Sequence, residues 1–467
     1  MTRQILPVPN PVTSYWLSEP HRYSDLQSSP RLPERCDVAV VGAGLAGVLS
    51  AYHILKNTEP PGQDVIGGHS GSNDSRNIEG AKVTLLDARQ LCSGATGRNG
   101  GHCKVQVKTL LNLPDSDSDR GKRRTQFQDY VLKVRDELKS IVEAEDLDCE
   151  FELRYSFDVF TDAQEARELN SRYEAARENG EAWTRNVSWI GAKRAEQVTS
   201  IIGAKGAFSV PIASFWPYKF VTQLLERMVS RWPTRLNVQM NTPITSLTSS
   251  ASASNNLLAT TRGTTVAQKV VLATNAYTAG LLPSFKDKIV PVRGMASHHR
   301  PAQPVHPHLD NTYNINFGRD KGVDYLNPRP DGGIVVGGGG WLFIQDEASW
   351  KDNWDDAHLF PGHVMRYWRR YMQDRFLGWR SSGSENDYNW TGIMGRTGDG
   401  QPLVGKVPGK DSVWVLAGFN GGGMGIIALC ARAIGKMVVQ KTDFEDVWEE
   451  EGLLEGFHCS AERLGRL

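Results

Sequence analysis

The sequence has no net charge: 53 Lys and Arg balance 53 Asp and Glu over 467 residues. That balance removes the single-sign field on which non-specific binding to nucleic acid or to an anionic membrane surface depends. Cysteine is scarce. The six present (Cys36, Cys92, Cys103, Cys149, Cys430 and Cys459) show no C-x-x-C pair and no metal-ligand spacing, so they suit free thiols in a reducing compartment. No uninterrupted apolar run is long enough for a membrane span, because the longest stretch, Val413 to Val439, is broken by Gly418 and Gly421 to Gly425 and contains Arg432. Met1 to Asn10 lacks an apolar h-region, so no secretory signal is visible and a cytoplasmic location is expected. The final Gly465-Arg466-Leu467 loosely resembles a small-basic-Leu peroxisomal address, although glycine fits its first place poorly. His298, His299, His306 and His308 fall in a Pro-rich stretch read as a loop without carboxylate or Cys company, so no metal is expected. No internal repeat is evident.

Glycine, in contrast, is plentiful at 46 residues, and its placement carries the information. Asp37-Val38-Ala39-Val40-Val41 reads as a short buried strand, and Val48 to Leu55 as a helix. Between them Gly42-Ala43-Gly44-Leu45-Ala46-Gly47 has the G-x-G-x-x-G spacing. Gly42 permits the tight turn, Gly44 leaves no Cβ between backbone and a pyrophosphate, and Gly47 lets helix and strand pack closely. N–H groups at the helix start, with the positive end of its dipole, then hold phosphates. The next strand, Lys82 to Asp87, ends on the acid that in a dinucleotide fold binds the adenosine ribose, usually about 20 residues past the glycines. Here Asp87 lies 40 residues past Gly47, and Asn57 to Gly80, loaded with Gly, Ser, Asn, Asp and Pro, reads as an inserted surface loop.

At this length two domains are expected, and 39% hydrophobic with 23% charged residues are the fractions of a soluble globular protein. Residues 1–35 form an extended arm on the body. The basic run Arg120, Lys122, Arg123 and Arg124, after acidic Asp115 to Asp119, reads as a solvated loop. Asp129 to Ala144, Asp162 to Glu178 and Lys219 to Arg231 carry helical spacing. Phe157 to Phe160, Asn237 to Met240 and Lys269 to Thr274 are extended, Ser249 to Asn256 is a polar hairpin tip, and residues 290–390 form a largely antiparallel sheet.

Three further glycine-rich stretches follow: Cys92-Ser93-Gly94-Ala95-Thr96-Gly97-Arg98-Asn99-Gly100-Gly101-His102, Trp390 to Gly405, and Ala417-Gly418-Phe419-Asn420-Gly421-Gly422-Gly423-Met424-Gly425, which opens a helix from Ile426 to Val439. Such density means backbone lying against a flat or anionic ligand. With Ser14-Tyr15-Trp16, Val270 to Tyr277 and Val290-Pro291-Val292-Arg293-Gly294, these stretches in this order resemble the D-amino acid oxidase family of FAD-dependent oxidoreductases. The likeness runs from about residue 14 to 440. The Gly97-Arg98-Asn99-Gly100-Gly101 form is most similar to the γ-glutamylputrescine oxidase-like branch.

The resemblance implies an α/β fold: a Rossmann-type FAD-binding domain with an interleaved substrate domain of mixed or antiparallel sheet plus helices. The expected division gives residues 1–110, 213–289 and 390–445 to the FAD domain, 111–212 and 290–389 to the substrate domain, and 446–467 to a tail. It also implies that Gly42, Ala43, Gly44, Leu45, Ala46 and Gly47 hold the FAD pyrophosphate and that Asp87, with Ala88 and Arg89, meets the ribose. Ala95, Thr96, Arg98, Asn99, Gly100 and Gly101 would line the pyrophosphate, ribityl chain and flavin edge. Ile244 would meet the adenine and Thr274 the adenosine half. Gly395 is flavin-proximal, and Gly422, Gly423 and Met424 close over the pyrimidine edge, where a helix tip steadies the negative charge of reduced flavin.

The implied reaction is oxidation of an amine or amino acid C–N bond. Hydride passes to flavin N5, water hydrolyses the imine, and O2 becomes H2O2; positioning and a dry site do most of the work. A dehydrogenase with another electron acceptor, or a non-catalytic FAD protein in trafficking or scaffolding, are the alternatives. Three side chains are candidates for the reacting side. His102 tunes amine protonation or faces the flavin, or else braces the loop. Arg396 is a carboxylate clamp or a surface ion pair, and Tyr325 roofs the site or belongs to the core. Members that tether FAD use a cysteine shortly before the final motif, and none occurs between Cys149 and Cys430, so non-covalent FAD is expected.

Overall fold

The computed structural model describes residues 5–59, 80–113, 121–249 and 255–467. The inserted stretch at 57–80 and the acidic run before Lys122 lie mostly outside them. Two sheets organise the described chain. The first has eight strands, with the path β16 (Leu403–Lys406), β17 (Val413–Ala417), β10 (Gly263–Leu272), β1 (Arg35–Val41), β2 (Val83–Leu86), β7 (Leu236–Gln239), and a hairpin of β8 (Ile244–Ser249) and β9 (Asn256–Thr260) attached to β10. Its centre is parallel, with Val40 level with both Leu85 and Val271. A strand covered on both faces must be apolar throughout, which is why β1 reads as an unbroken run. From Val38 on, alternate side chains part: Val38 and Val40 enter one core, Ala39 and Val41 another. The helices Leu45–Asn57 and Ile427–Gln440 cover the first face so closely that a Cβ on Gly435 would lie 2.6 Å from His53 Cβ.

The second sheet has nine strands in the order β15 (Glu385–Arg396), β11 (Val290–Arg300), β14 (Ile334–Gly338), β13 (Val323–Pro328), β12 (Thr312–Asn316), β4 (Glu152–Phe160), β6 (Gly206–Ser214), β3 (His102–Cys103), with β5 (Ser188–Gly191) on β6. It is antiparallel except where β12 runs parallel to β4. Its register sets Trp390, Ala296, Gly337, Tyr325, Asn314 and Asp158 in one row on one face.

Several expectations change here. Lys122, Arg123 and Arg124 do not form a loop but open the helix Lys122–Ala144, whose inner face buries Val131, Val134 and Leu138, and Arg124 pairs with Glu181. His298 and His299 lie on β11 and not in a loop. The His298 ring stacks on Tyr15 with centroids 3.8 Å apart, and its Nδ1 is 2.7 Å from Asp387, so it does have a carboxylate neighbour. The cut expected at 390 falls inside β15, which pairs with β11 as far as Arg396. Residues 446–467 are packed: Val447, Leu453 and Phe457 enter the core, and Cys459 N–H donates to Val404 O at 2.9 Å.

One buried ion pair ties the pieces together. Arg89 donates to both oxygens of Asp356, at 2.8 and 3.0 Å, and Arg98 Nε is 3.5 Å from the same carboxylate. Removing one member of a buried pair leaves the other charged and desolvated. Asp356→Ala is therefore expected to lower the unfolding free energy by about 3–5 kcal/mol, read from urea denaturation.

Candidate cofactor and active site

The turn between β1 and its helix is defined by approach distances no side chain can meet. Gly42 has φ +103°, and a Cβ there would lie 2.5 Å from Ala273 O; on Gly47 it would lie 1.7 Å from Gly42 O. Gly44, the N-cap of the helix, carries no side-chain cap, which leaves the positive end of the helix open. Around it Asp87 accepts hydrogen bonds from Ala43 N–H at 2.7 Å and Arg89 N–H at 2.9 Å, while Thr96 Oγ1 accepts from Leu45 N–H at 2.9 Å. Burial raises the Asp87 carboxyl from its ordinary range, and those backbone donors oppose the rise. A carboxylate offers roughly four lone-pair sites, so two accepted bonds leave capacity for a diol.

One cavity follows this turn. Gly42, Gly44, Leu45, Ala46, Asp87, Ala88, Arg89, Ala95, Thr96, Ile244 and Thr274 line it. Ala43 and Gly47 form the turn behind the wall. The sequence reading missed other residues of the wall: Thr242, Asn275, Tyr277, Ile393, Phe419 and the arm residues Ile5, Leu6 and Pro7. The residues present fit a dinucleotide, with an open helix tip, a carboxylate at the second strand end, and one orphaned buried donor in the cavity wall. Among the described residues Tyr277 Oη is buried without a hydrogen-bond partner, and a buried donor left unmade is costly. Tyr277 lies in a stretch the sequence had flagged, but only the fold aims its hydroxyl.

From this cavity residues 95–107 cross the face of the second sheet. Arg98 turns away from the cavity to donate from Nη1 to Thr391 O at 2.8 Å, and Trp390 Nε1 donates to Arg98 O at 3.0 Å. Asn327 Nδ2 reaches Gly100 O and Gly101 O at 2.9 and 3.0 Å. Lys104 Nζ donates to Ser156 Oγ at 2.8 Å, and Val107 N–H to Asp158 at 2.7 Å. Ser14 and Trp16 brace the same loop from outside, through Gly97 O and Asn99 O. A Cβ on Gly100 would lie 2.7 Å from the Tyr325 ring, so ring and loop are in contact.

His102 and Tyr325 meet edge to face at 5.6 Å, and His102 Nδ1 has no partner among the described residues. Burial, with Lys104 and Arg154 nearby, holds the imidazole neutral, well below its ordinary value. Burial pushes the Tyr325 hydroxyl up, and it takes Lys104 down to about 7, against the pull of Asp158. Asn99 Nδ2 is 3.3 Å from Met424 Sδ, which brings the turn Gly423–Gly425 to the loop. Gly422 is exposed beside it. Gly395 does not line the cavity itself but packs behind a wall residue, where a Cβ would lie 2.8 Å from Asn275 Oδ1. Arg396 is exposed at the end of β15 and makes no ion pair among the described residues. No group of three or more His, Cys, Asp or Glu able to hold a metal occurs among the described residues, and no helix there is long and apolar enough to cross a membrane.

Comparison with known proteins agrees with this geometry. The family model DAO, FAD dependent oxidoreductase, matches residues 37–437. A probable oxidoreductase OrdL of Haemophilus influenzae is 21% identical over 450 residues, covering 94% of this chain and 90% of its own. The sarcosine oxidase subunit beta of Rhodobacter capsulatus is 21% identical over 422 residues, covering 88% and 87%. The crystal structure of glycine oxidase from Geobacillus kaustophilus superposes with a TM-score of 0.67 at 18% identity, covering 92% of this chain and 99% of that one. The fold is thus shared across low identity. Tyr277→Phe, which removes one orphaned donor, is expected to weaken FAD binding by about 3–10-fold with the melting temperature unchanged, measured by titrating the FAD-free protein.

Proposed function

The chain belongs to the DAO family of FAD-dependent oxidoreductases, and from that premise we propose that it oxidises the C–N bond of a small amine or amino acid, with O2 as the final acceptor and H2O2 as the second product. The observation that carries this reading is the continuous segment 95–107. It leaves the dinucleotide cavity and reaches, within a few residues, the polar patch of His102, Lys104 and Tyr325 on the second sheet. The names of the sarcosine and glycine oxidase relatives support the substrate class.

Bound FAD would supply the two-electron acceptor. Every other requirement falls on the chain. Gly42, Gly44 and the helix tip bind the phosphates, Asp87 the ribose, and the bolted loop fixes the distance from the nucleotide to the sheet. Tyr325 and the loop backbone exclude water from that side. Lys104, in the segment that leaves the cavity and with its Nζ on Ser156 Oγ, is the proton acceptor this reading assigns: burial takes it down to about 7, so above that pH its free amine would take a proton from the substrate's ammonium. His102 stays neutral and offers Nδ1 for a hydrogen bond. Arg396 has no role here. On this reading FAD is held without a covalent bond: burial keeps protonated both Cys92, in the cavity wall, and Cys103, beside the loop, whose thiol is pushed up to about 12.

Anaerobic addition of the correct amine or amino acid to the purified protein is expected to bleach the flavin absorbance, and air to restore it quickly. Slow restoration in air would replace O2 with another acceptor, and no bleaching across polyamines, N-methyl amino acids and D- and L-amino acids would end the reading. Acid precipitation is expected to leave a white pellet and a yellow supernatant. The pH profile of kcat/KM is expected to rise through about pH 7, well below the substrate amine's own ionisation, and Lys104→Met to lose that limb.

A further inference from the structure

Residues 5–7 supply a wall of the dinucleotide cavity that belongs to neither sheet. Ile5, Leu6 and Pro7 line it together with Leu281, and the backbone there is in neither strand nor helix. Three features seat this arm. Arg89 Nη1 donates to Val8 O at 3.1 Å, and Val12 N–H donates to Asp356 O at 2.8 Å. The arm also lies directly on the single turn Asn275–Gly280, where a Cβ on Gly280 would come within 2.3 Å of Ile5 O. Both polar anchors lead to the buried Arg89–Asp356 pair, which also holds Arg98 of the loop. The arm is therefore tied to the same charges that order the cofactor loop, yet it is joined to the wall by few bonds. Its three apolar residues face a cavity whose other lining includes polar groups for a nucleotide.

We propose that the segment Ile5–Pro7 is a strap that closes the cofactor cavity and sets the rate at which FAD leaves; this rests on the FAD reading above. Closure adds apolar contact to the bound dinucleotide and removes the water path along that wall. Release then requires the segment to lift from Gly280 and from Arg89. Ile5, Leu6 and Pro7 are half-buried, and the apolar contact that one such side chain adds on closure corresponds to about a three- to tenfold change in an equilibrium or rate.

The test compares FAD release from four holoproteins: the full chain, a deletion of residues 1–9, Leu6→Asp, and Gly280→Ala. Gly280→Ala leaves every strap residue in place and removes only its seat. Release is followed by the recovery of free FAD fluorescence after dilution, and the melting temperature of each FAD-stripped protein is measured alongside. Release faster by about three- to tenfold in Leu6→Asp and Gly280→Ala, with unchanged melting of the stripped proteins, is the expected result. Unchanged release overturns the proposal. Slower release also overturns it, because the segment would then compete with the cofactor. Acceleration found only with a lowered melting temperature assigns it a general packing role and overturns it as well. A full chain that takes up no FAD fails the cofactor reading itself, an outcome visible before any variant is made.

Discussion

Closest packing at one turn sets everything that follows. Gly47 sits where a single methyl group would lie 1.7 Å from Gly42 O, and Gly42 sits where one would lie 2.5 Å from Ala273 O. With no side chains there, the helix Leu45–Asn57 seats its tip against the strand ends, and its first turn, at Leu45 and Ala46, lines the cavity. Asp87 and Thr96 then fix the turn by taking the N–H groups of Ala43 and Leu45. Fill any of these positions and the helix tip must move away from the sheet. The cavity exists because that space is kept empty.

The second dependence is mechanical. A nucleotide cavity and a reacting side on different sheets are useful only at a fixed separation. The segment 95–107 provides that separation as a backbone strut, held by Thr391, Trp390, Asn327, Ser156 and Asp158 on five different hydrogen bonds or more. Buried Asp356 does the same for the opposite end: its carboxylate joins Arg89 and Arg98, and its backbone carbonyl accepts from Val12 N–H. The family match and the shared fold with glycine oxidase fit this division of labour. On the proposed reading, one sheet would hold the cofactor and the other would present a polar patch to it.

Much of this was legible in the sequence because glycine imposes local constraints. The spacing Gly42, Gly44, Gly47 and the runs at 94–101 and 421–425 each specify backbone geometry within a few residues. Long-range pairings were not legible. Nothing near Asp356 announces two arginines more than 250 residues away, and Tyr277 reads as an ordinary tyrosine until its hydroxyl is found buried without a partner. Lys104 was passed over for the same reason, since its surroundings come from β4. Lys122 to Arg124 misled because charge at a helix start looks like a solvated loop until the buried face of the later turns is counted. His298 misled because its ring partner, Tyr15, comes from the far end of the chain.

The most direct measurement is the visible absorption spectrum of the purified chain after incubation with FAD and desalting. About one flavin per chain, with its absorption bands shifted from those of free FAD, is the result expected of a dinucleotide cavity built on an open helix tip. A folded protein that stays colourless after that treatment would contradict it.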